Sequence, residues 1–441
     1  MTRVSEHPRV LVVGAEPFGR SSGTGITLSN LFDGWPRDRL AQVYTTRTEP
    51  SSNVCEQYFA VDPWNAPVDH VVRSVLTRGR TATAGSAAAA AAVPAGGNGS
   101  WKGQARRTMR AVADLSPLLV PADLRAWARR FHPDVVYSVL GSVRVIRLAR
   151  RLAGTCGVPI VPHFMDDWPA TLYSNGELFG LGRRAVDAGL GGVVRRATSG
   201  LCISAPMAEE YQRRYGIPFA PFMNCVQESA FDDRREAPPA VAGAGPVEFV
   251  YVGGLHLDRW ASLARLGAAL ERLASPPGPA RLTLYAPESD LARYGAAFAH
   301  LPAVRLARSI GSAEVAPVLW AADVLVHVES FKPEIAQYTR LSLSTKLPQY
   351  LAAGRPILGH GPGDLASMRH IVTTRAGLVV GEEDLELLIR RAGELCGDPL
   401  LRRRLGDRGY VYAKAHHAKK EVAARFAEHL ARVAGRAEAS R

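Results

Sequence analysis

AADVLVHVESFKPEIAQYTRLSLSTKLPQYLAAGRPILGHGPG, residues 321–363, is the stretch whose reading decides the fold of this 441-residue chain. The apolar run 324–328 is short, rich in valine and flanked by polar residues, the pattern of a strand buried on both faces. A polar loop follows, carrying Glu329, Tyr338, Arg340, Ser342, Ser344 and Lys346, then a short helix stopped at Gly354 and a second strand at 356–358. Ligands of open parallel sheets bind beyond the carboxyl ends of the strands. Ser344, Thr345 and Lys346 enter a helix at such a place, offering hydroxyls, backbone N–H groups and a cation to an anion such as diphosphate. A solvated loop with one surface lysine satisfies the same pattern.

The same residues resemble the donor-binding region of the family-four retaining glycosyltransferases of the GT-B fold, in the version S-x-K-x-x-E-Y-x-A-x-G-x-P-I. Ser344, Lys346, Tyr350, Ala352, Gly354, Pro356 and Ile357 fall on that pattern. The resemblance implies an α/β protein with two Rossmann-like domains facing a cleft. Where the family usually has a glutamate holding the nucleotide ribose, this chain has Gln349, which hydrogen-bonds a hydroxyl without bringing charge. The other frequent glutamate falls on Leu341, so the paired-glutamate signature is absent, and Glu329 is expected to take over part of its role.

Composition suits such a fold. A chain 47% hydrophobic and 22% charged is long enough for two domains of ~200 residues, each with its own core. Five scattered cysteines without C-x-x-C predict reduced, buried thiols, with no zinc site and no disulfide framework. No signal-peptide core and no apolar run of ~20 residues occurs, so the expectation is a cytoplasmic protein, peripheral to the membrane if bound to it at all.

The net charge of +13 is unevenly placed: residues 73–130 hold ten Arg and Lys against two acids, Asp114 and Asp123. Within that window 79–99 is Ala/Gly-rich low-complexity sequence, expected to be a mobile loop. Its flanks mix arginines such as Arg106, Arg107 and Arg110 with Trp101, Met109, Val112 and Leu115. A basic element with apolar tips suits an anionic bilayer. A solvated arginine face is the competing reading.

Toward the N-terminus, a strand at 9–13 is followed by a loop containing Gly14, Gly19, Gly23 and Gly25, with a helix expected from near Ile26. The dinucleotide fingerprint is not present, because no third glycine follows at the required spacing. The loop is similar to the first loop of GT-B proteins, which makes Gly23, Thr24 and Gly25 expected donor-site elements. A tight turn serving packing alone is the alternative. Strands at 41–45, 135–139 and 158–161 alternate with helical stretches. After the last of these come His163, Asp166, Asp167, Trp168 and Pro169, which resemble an Asp-x-Trp-Pro element facing the family's cleft. Beyond a strand end, His163 and Asp166 could bond sugar hydroxyls or an acceptor nucleophile; a backbone-satisfied histidine and a helix-capping aspartate are the alternative. Adjacent carboxylates of an extended segment point to opposite faces, so no metal pair is expected.

The second domain restarts with a strand at 247–252 leading into Gly253 and Gly254. There the family has Gly-Arg-Leu and then a lysine; Gly254 replaces the arginine and Arg259 stands for the lysine. The resemblance therefore implies Arg259 and Lys346 as the two cations for a donor diphosphate, one a fork of donors and the other a point charge. The expected division is 1–225 for an acceptor-side domain, 226–246 for a linker, 247–415 for the nucleotide-sugar domain, and 416–441 for a closing helix that packs back on the first domain. The reading is a retaining glycosyltransferase using a nucleoside diphosphate sugar without metal or other cofactor. Its partners are the sugar donor, a glycan, small-molecule or lipid-linked acceptor, and an anionic membrane surface, with no nucleic acid. A GT-B epimerase or hydrolase would need more acidic residues at the site than Asp166, Asp167 and Glu329. A basic nucleic-acid-binding protein would need more aromatics among the arginines than Trp101 and Trp127.

Overall fold

The structure, a computed structural model, describes residues 7–19, 22–61, 68, 101–116, 118–231, 245–273 and 280–439, the side chains of 101–106 and 436–439 excepted. The expected loop at 79–99, Arg73, Arg78 and Arg80, and residues 232–244 of the expected linker lie outside these. The chain divides into two compact units: one holds 1–224 and 422–441, the other 225–421.

In the first unit β1 (Val10–Gly14), β2 (Leu40–Tyr44), β3 (Gln57–Ala60), β4 (Val135–Val139), β5 (Ile160–Phe164), β6 (Gly200–Cys202) and β7 (Phe219–Pro221) form one sheet in the order β3-β2-β1-β4-β5-β6-β7. Every described pairing is parallel. β1, β2 and β5 are buried at every position, because helices cover both faces of a parallel sheet. Local signals place those helices. Ser142 and Ser204 each accept a hydrogen bond from the backbone N–H three residues on, at the start of helices Val143–Cys156 and Ala205–Tyr215. Gly157 and Gly216 end them in the left-handed conformation. The core is closed from the far end of the chain: Phe426, on helix Lys419–Ala439, lies 4.9 Å from the ring of Phe32 and 5.7 Å from that of Tyr137. Ser199 Oγ and His429 Nε2, 3.0 Å apart, add a polar tie.

In the second unit β8 (Val247–Val252), β9 (Ala280–Ala286), β10 (Val304–Arg308), β11 (Val324–Val328), β12 (Ile357–His360) and β13 (Gly377–Val380) form a parallel sheet in the order β10-β9-β8-β11-β12-β13. Phe249, Tyr251, Leu282, Leu284, Val324 and Val326 centre its core. Three expectations change. The first helix runs Gly23–Leu31, starting three residues before Ile26, because the Ser22 hydroxyl accepts from Gly25 N and caps it there. The segment after β11 is not all loop: Pro333, set at a helix start with Glu334 behind it, opens helix Pro333–Thr339. β5 runs on past Val161 to Phe164, pairing with β4 and β6 through Pro162 and His163.

Helix Pro399–His416 crosses helix Leu347–Ala353 so closely that a Cβ on Gly406 would stand 2.1 Å from the Gly354 carbonyl oxygen. Backbone cannot yield as a side chain does. Gly406→Ala should destabilise the second unit by about 1–3 kcal/mol, read as a lower urea midpoint with an unchanged slope.

Candidate functional site

Both sheets reverse strand order next to their first strand, β1 against β4 and β8 against β11. The loops leaving the carboxyl ends of such a pair diverge to opposite faces and open a crevice, the ligand position of doubly wound sheets.

In the second unit the β8 loop runs from Gly253 to Asp258. Gly253 has φ 146°, and a Cβ there would stand 2.2 Å from Lys346 Nζ, so only glycine fits. Leu257 and Asp258 are left-handed at φ 58° and 59°, each costing about 1–3 kcal/mol unless held. They are held: Lys332 Nζ donates to Asp258 Oδ1 at 2.8 Å, and Leu255 N donates to Asp290 Oδ2 at 2.7 Å. The next residue, Arg259, opens helix Arg259–Glu271, and its Nη2 donates to both oxygens of Glu329 at 3.1 and 3.2 Å. Glu329 directly follows β11 and is 3% exposed. Burial alone would raise its pKa, but Arg259 and then His327 bring it below the ordinary value.

Lys346 precedes helix Leu347–Ala353. Its Nζ donates to Tyr251 Oη at 3.0 Å and lies 4.2 Å from the centre of that ring, while Tyr251 Oη donates on to Gly254 O at 2.6 Å. The residue is partly exposed, yet its ammonium is enclosed by this ring and the Gly253 backbone. Desolvation, then the neighbouring Arg259 charge, lower its pKa to about 7, with Glu329 opposing. Two cations from different elements thus converge on one crevice beside a single buried carboxylate.

The other residues expected here separate by depth. Gly254 lies in the same loop, where a Cβ would meet His256 Nδ1 at 2.4 Å, so the position has no room for the family's arginine unless His256 moves. Ser344, Thr345 and Gln349 are partly exposed around Lys346, with Ser344 Oγ accepting from Lys346 N at 3.5 Å. Ser342 is partly buried and Arg340 is exposed at the end of helix Pro333–Thr339. Tyr338 is 3% exposed and belongs to the packing of that helix.

In the first unit, Gly23, Thr24 and Gly25 form the first turn of helix Gly23–Leu31 at the end of the β1 loop. Glu16, which sequence reading passed over, is buried in that loop and accepts a hydrogen bond from Ser22 Oγ. Its only signal was an acid among glycines directly after a buried strand. His163 is not beyond a strand end: it is fully buried, its Nδ1 2.6 Å from Tyr137 Oη and its Nε2 3.1 Å from Phe222 O. Burial drives its pKa down to about 3, and both nitrogens serve the fold. Asp166 is partly exposed in the turn after β5. Its neighbour Asp167 is buried and accepts from Tyr211 Oη and from Arg214 through both Nη1 and Nη2, at 2.9, 2.7 and 3.0 Å; it does not cap the following helix through its side chain. Among the described residues no group of three or more His, Cys, Asp or Glu could hold a metal ion. The five cysteines are free thiols.

Several solved structures share the fold across nearly the whole chain. Anabaena HepE in complex with UDP matches with a TM-score of 0.62 at 12% identity, over 96% of this chain and 99% of that one. Sucrose-phosphate synthase from Thermosynechococcus elongatus matches at 0.60 and 14%, over 96% and 99%. WaaG, a glycosyltransferase involved in lipopolysaccharide biosynthesis, matches at 0.54 and 13%, over 94% and 98%. No protein-family model and no curated protein matches the chain. At these identities the likeness establishes the fold: α/β with two Rossmann-like sheets, the GT-B type.

Asp167 gives a test of the division between structural and site residues. Removing it takes the partner from both Nη atoms of Arg214 and from the buried Tyr211 hydroxyl, leaving the guanidinium only its Nε contact with Glu210, so Asp167→Ala should cost about 1–3 kcal/mol of stability in a denaturant titration.

Proposed function

We propose that this protein is a glycosyltransferase that takes a sugar from a nucleoside diphosphate donor bound at the carboxyl ends of β8 and β11. The observation that carries the proposal is the convergence of Arg259 and Lys346 on that crevice, on a fold whose solved examples include HepE in complex with UDP-glucose. A guanidinium and an ammonium facing one crevice suit an anionic diphosphate. Ser344, Thr345 and Gln349, partly exposed beside Lys346, supply hydroxyls and an amide for the rest of the donor.

The reaction we propose keeps the anomeric configuration. The bond from the sugar's anomeric carbon to the phosphate oxygen breaks, the acceptor oxygen bonds to the same face of that carbon, and the acceptor's proton passes to the departing phosphate. Negative charge grows on the diphosphate as it leaves, so the cations contribute most in the transition state. Each is expected to be worth about 3 kcal/mol there. Lys346→Ala and Arg259→Ala should therefore each lower kcat/KM by about 100-fold or more; Lys346→Ala should leave the thermal unfolding of the ligand-free protein near that of the wild type, whereas Arg259→Ala, which leaves the buried Glu329 carboxylate without its guanidinium, should also lower it. The first experiment is a panel of nucleotide sugars, scored by thermal stabilisation and slow hydrolysis. A folded Lys346→Ala protein with wild-type turnover would remove the assignment.

For the acceptor we propose a lipid-linked or otherwise anionic molecule, met at an anionic membrane surface. Phe179 is fully exposed in a turn with φ 56°, and Leu181 behind it is 57% exposed. Helix Leu181–Val194, which they lead, packs against the basic helix Trp101–Leu115, and Tyr173, in the turn ahead of it, donates from Oη to Asp114 Oδ2 on that basic helix at 2.7 Å. Arg110 and Arg184 are exposed on these helices. Apolar side chains standing free beside arginines complement anionic lipid, each cation contributing about 1 kcal/mol near the surface. None of the described helices is long and apolar enough to cross a membrane. Co-sedimentation with vesicles of anionic lipid should be strong at low salt and fall steeply toward ~0.1 M salt, where the Debye length is about 10 Å. Phe179→Ser with Arg107→Ala and Arg110→Ala should abolish it; equal sedimentation of that variant would return a soluble acceptor.

A further inference from the structure

Two cations enclosed in one crevice repel each other and lose their hydration, so such a site needs a counter-charge to exist before a ligand arrives. Lys346 and Arg259 are near enough that the guanidinium charge lowers the basicity of the ammonium. The groups around them can be counted. Tyr251 and Tyr350 are neutral phenols, their pKa values raised by burial. His327, 2% exposed, points its Nε2 at Glu329 Oε1 from 3.5 Å, and that nitrogen has no hydrogen-bond partner. Burial lowers its pKa to about 4, with Lys346, Arg259 and His370 on helix Ala366–Thr373 adding to the fall, so it is neutral near pH 7. Of the carboxylates, Asp258 pairs with Lys332 and Asp290 with Leu255 N and His256, which leaves Glu329 as the one that faces Arg259 and supports the charge on Lys346.

We propose that Glu329 is a positioning residue for the donor site: a buried counter-ion that orients the Arg259 guanidinium and allows Lys346 to stand protonated beside it. The carboxylate is itself fixed. Ser262 Oγ donates to Glu329 O at 2.8 Å, Glu329 N donates to His360 O at 3.0 Å, and a Cβ on Gly361 would stand 3.0 Å from Glu329 Cβ. Both of its oxygens face Nη2 of Arg259, which fixes where that end of the guanidinium lies. The carboxylate acts through the two cations and needs no contact of its own with the sugar. This inference rests on the donor reading above and extends it to a residue outside the diphosphate contacts.

The sign of the pH effect follows. An anionic diphosphate binds the protonated lysine, so affinity is full below the Lys346 pKa of about 7 and weakens by up to tenfold per pH unit above it. Without the Glu329 charge that pKa falls further, and the loss of affinity begins at lower pH. The test is calorimetric titration of the full chain with UDP-glucose, whose diphosphate keeps a constant charge from about pH 6 to about pH 9. Glu329→Gln should weaken binding about tenfold at the acid end and move the break in the affinity profile to lower pH. Glu329→Asp, which keeps the charge but shortens its reach, should weaken binding while leaving the break near its wild-type position. A purely structural role would lower the unfolding temperature of both variants and leave the break where it is.

Wild-type affinity with an unmoved break in a folded Glu329→Gln protein overturns the inference while the donor reading stands. If Glu329→Gln does not fold, Glu329→Asp decides: unchanged affinity, or weaker binding that comes with a lowered unfolding temperature, overturns the inference, and weaker binding with an unmoved break and an unchanged unfolding temperature supports it. Failure of the wild type to bind UDP-glucose at any pH removes both.

Discussion

A parallel sheet covered by helices on both faces leaves its ligand chemistry to the loops beyond the strand ends, and the candidate site follows from that constraint. β11 spends its five residues on burial, and its first polar side chain beyond them, Glu329, appears one residue past the strand end. The same holds for β8, whose chain turns at Gly253 and delivers Arg259 six residues later. Because β8 and β11 are neighbours while their connections leave in opposite directions, the two side chains meet without either strand bending. The ion pair is a consequence of strand order. Two left-handed residues, Leu257 and Asp258, are the local cost of aiming Arg259, and ties to Lys332 and Asp290 hold them.

Much of this was legible in the residues themselves. β4, β8 and β11 have the expected limits, since short valine-rich runs broken by a single polar residue and bounded by polar ones have few alternatives. Gly354 ends helix Leu347–Ala353 in the left-handed conformation, as a glycine behind a short apolar helix should. What sequence left hidden was long-range. Helix Pro333–Thr339 was obscured because a run of polar residues resembles loop, although Pro333 and Glu334 carried the start signal. β5 outlasted its proline because β4 and β6 pair with it on both sides. His163 therefore moved from a strand end into the core, where Tyr137 and Phe222 hold it. No local pattern reports that Phe426 would join Phe32 and Tyr137, almost 300 residues or more away in sequence.

The two adjacent aspartates show how little residue type alone can assign. Asp167 looks as available for chemistry as Asp166, yet Arg214 and Tyr211 arrive from helix Ala205–Tyr215 and surround it. A carboxylate with three donors on it stabilises its own neighbourhood; its oxygens are no longer available to an acceptor hydroxyl. Glu329 is equally buried and charged, but its partner stands in a crevice at the strand ends, and that position separates a structural ion pair from one that prepares a binding site.

Gly253 and Gly254 explain why the second cation comes from a distant element. Here a side chain at 254 would run into His256, which stands against Asp290. A side chain at 253 would occupy the volume that Lys346 Nζ fills. The cation from the start of helix Leu347–Ala353 instead comes in over the ring of Tyr251. That arrangement has a structural consequence, because a lysine reaching in from another element needs the loop to be small at the point of contact. It also needs Tyr251 to pass the polar contact on to the Gly254 carbonyl. Glycine at 253 and 254, tyrosine at 251 and lysine at 346 therefore form one unit, in which changing any member disturbs the space or the hydrogen bonds of the others.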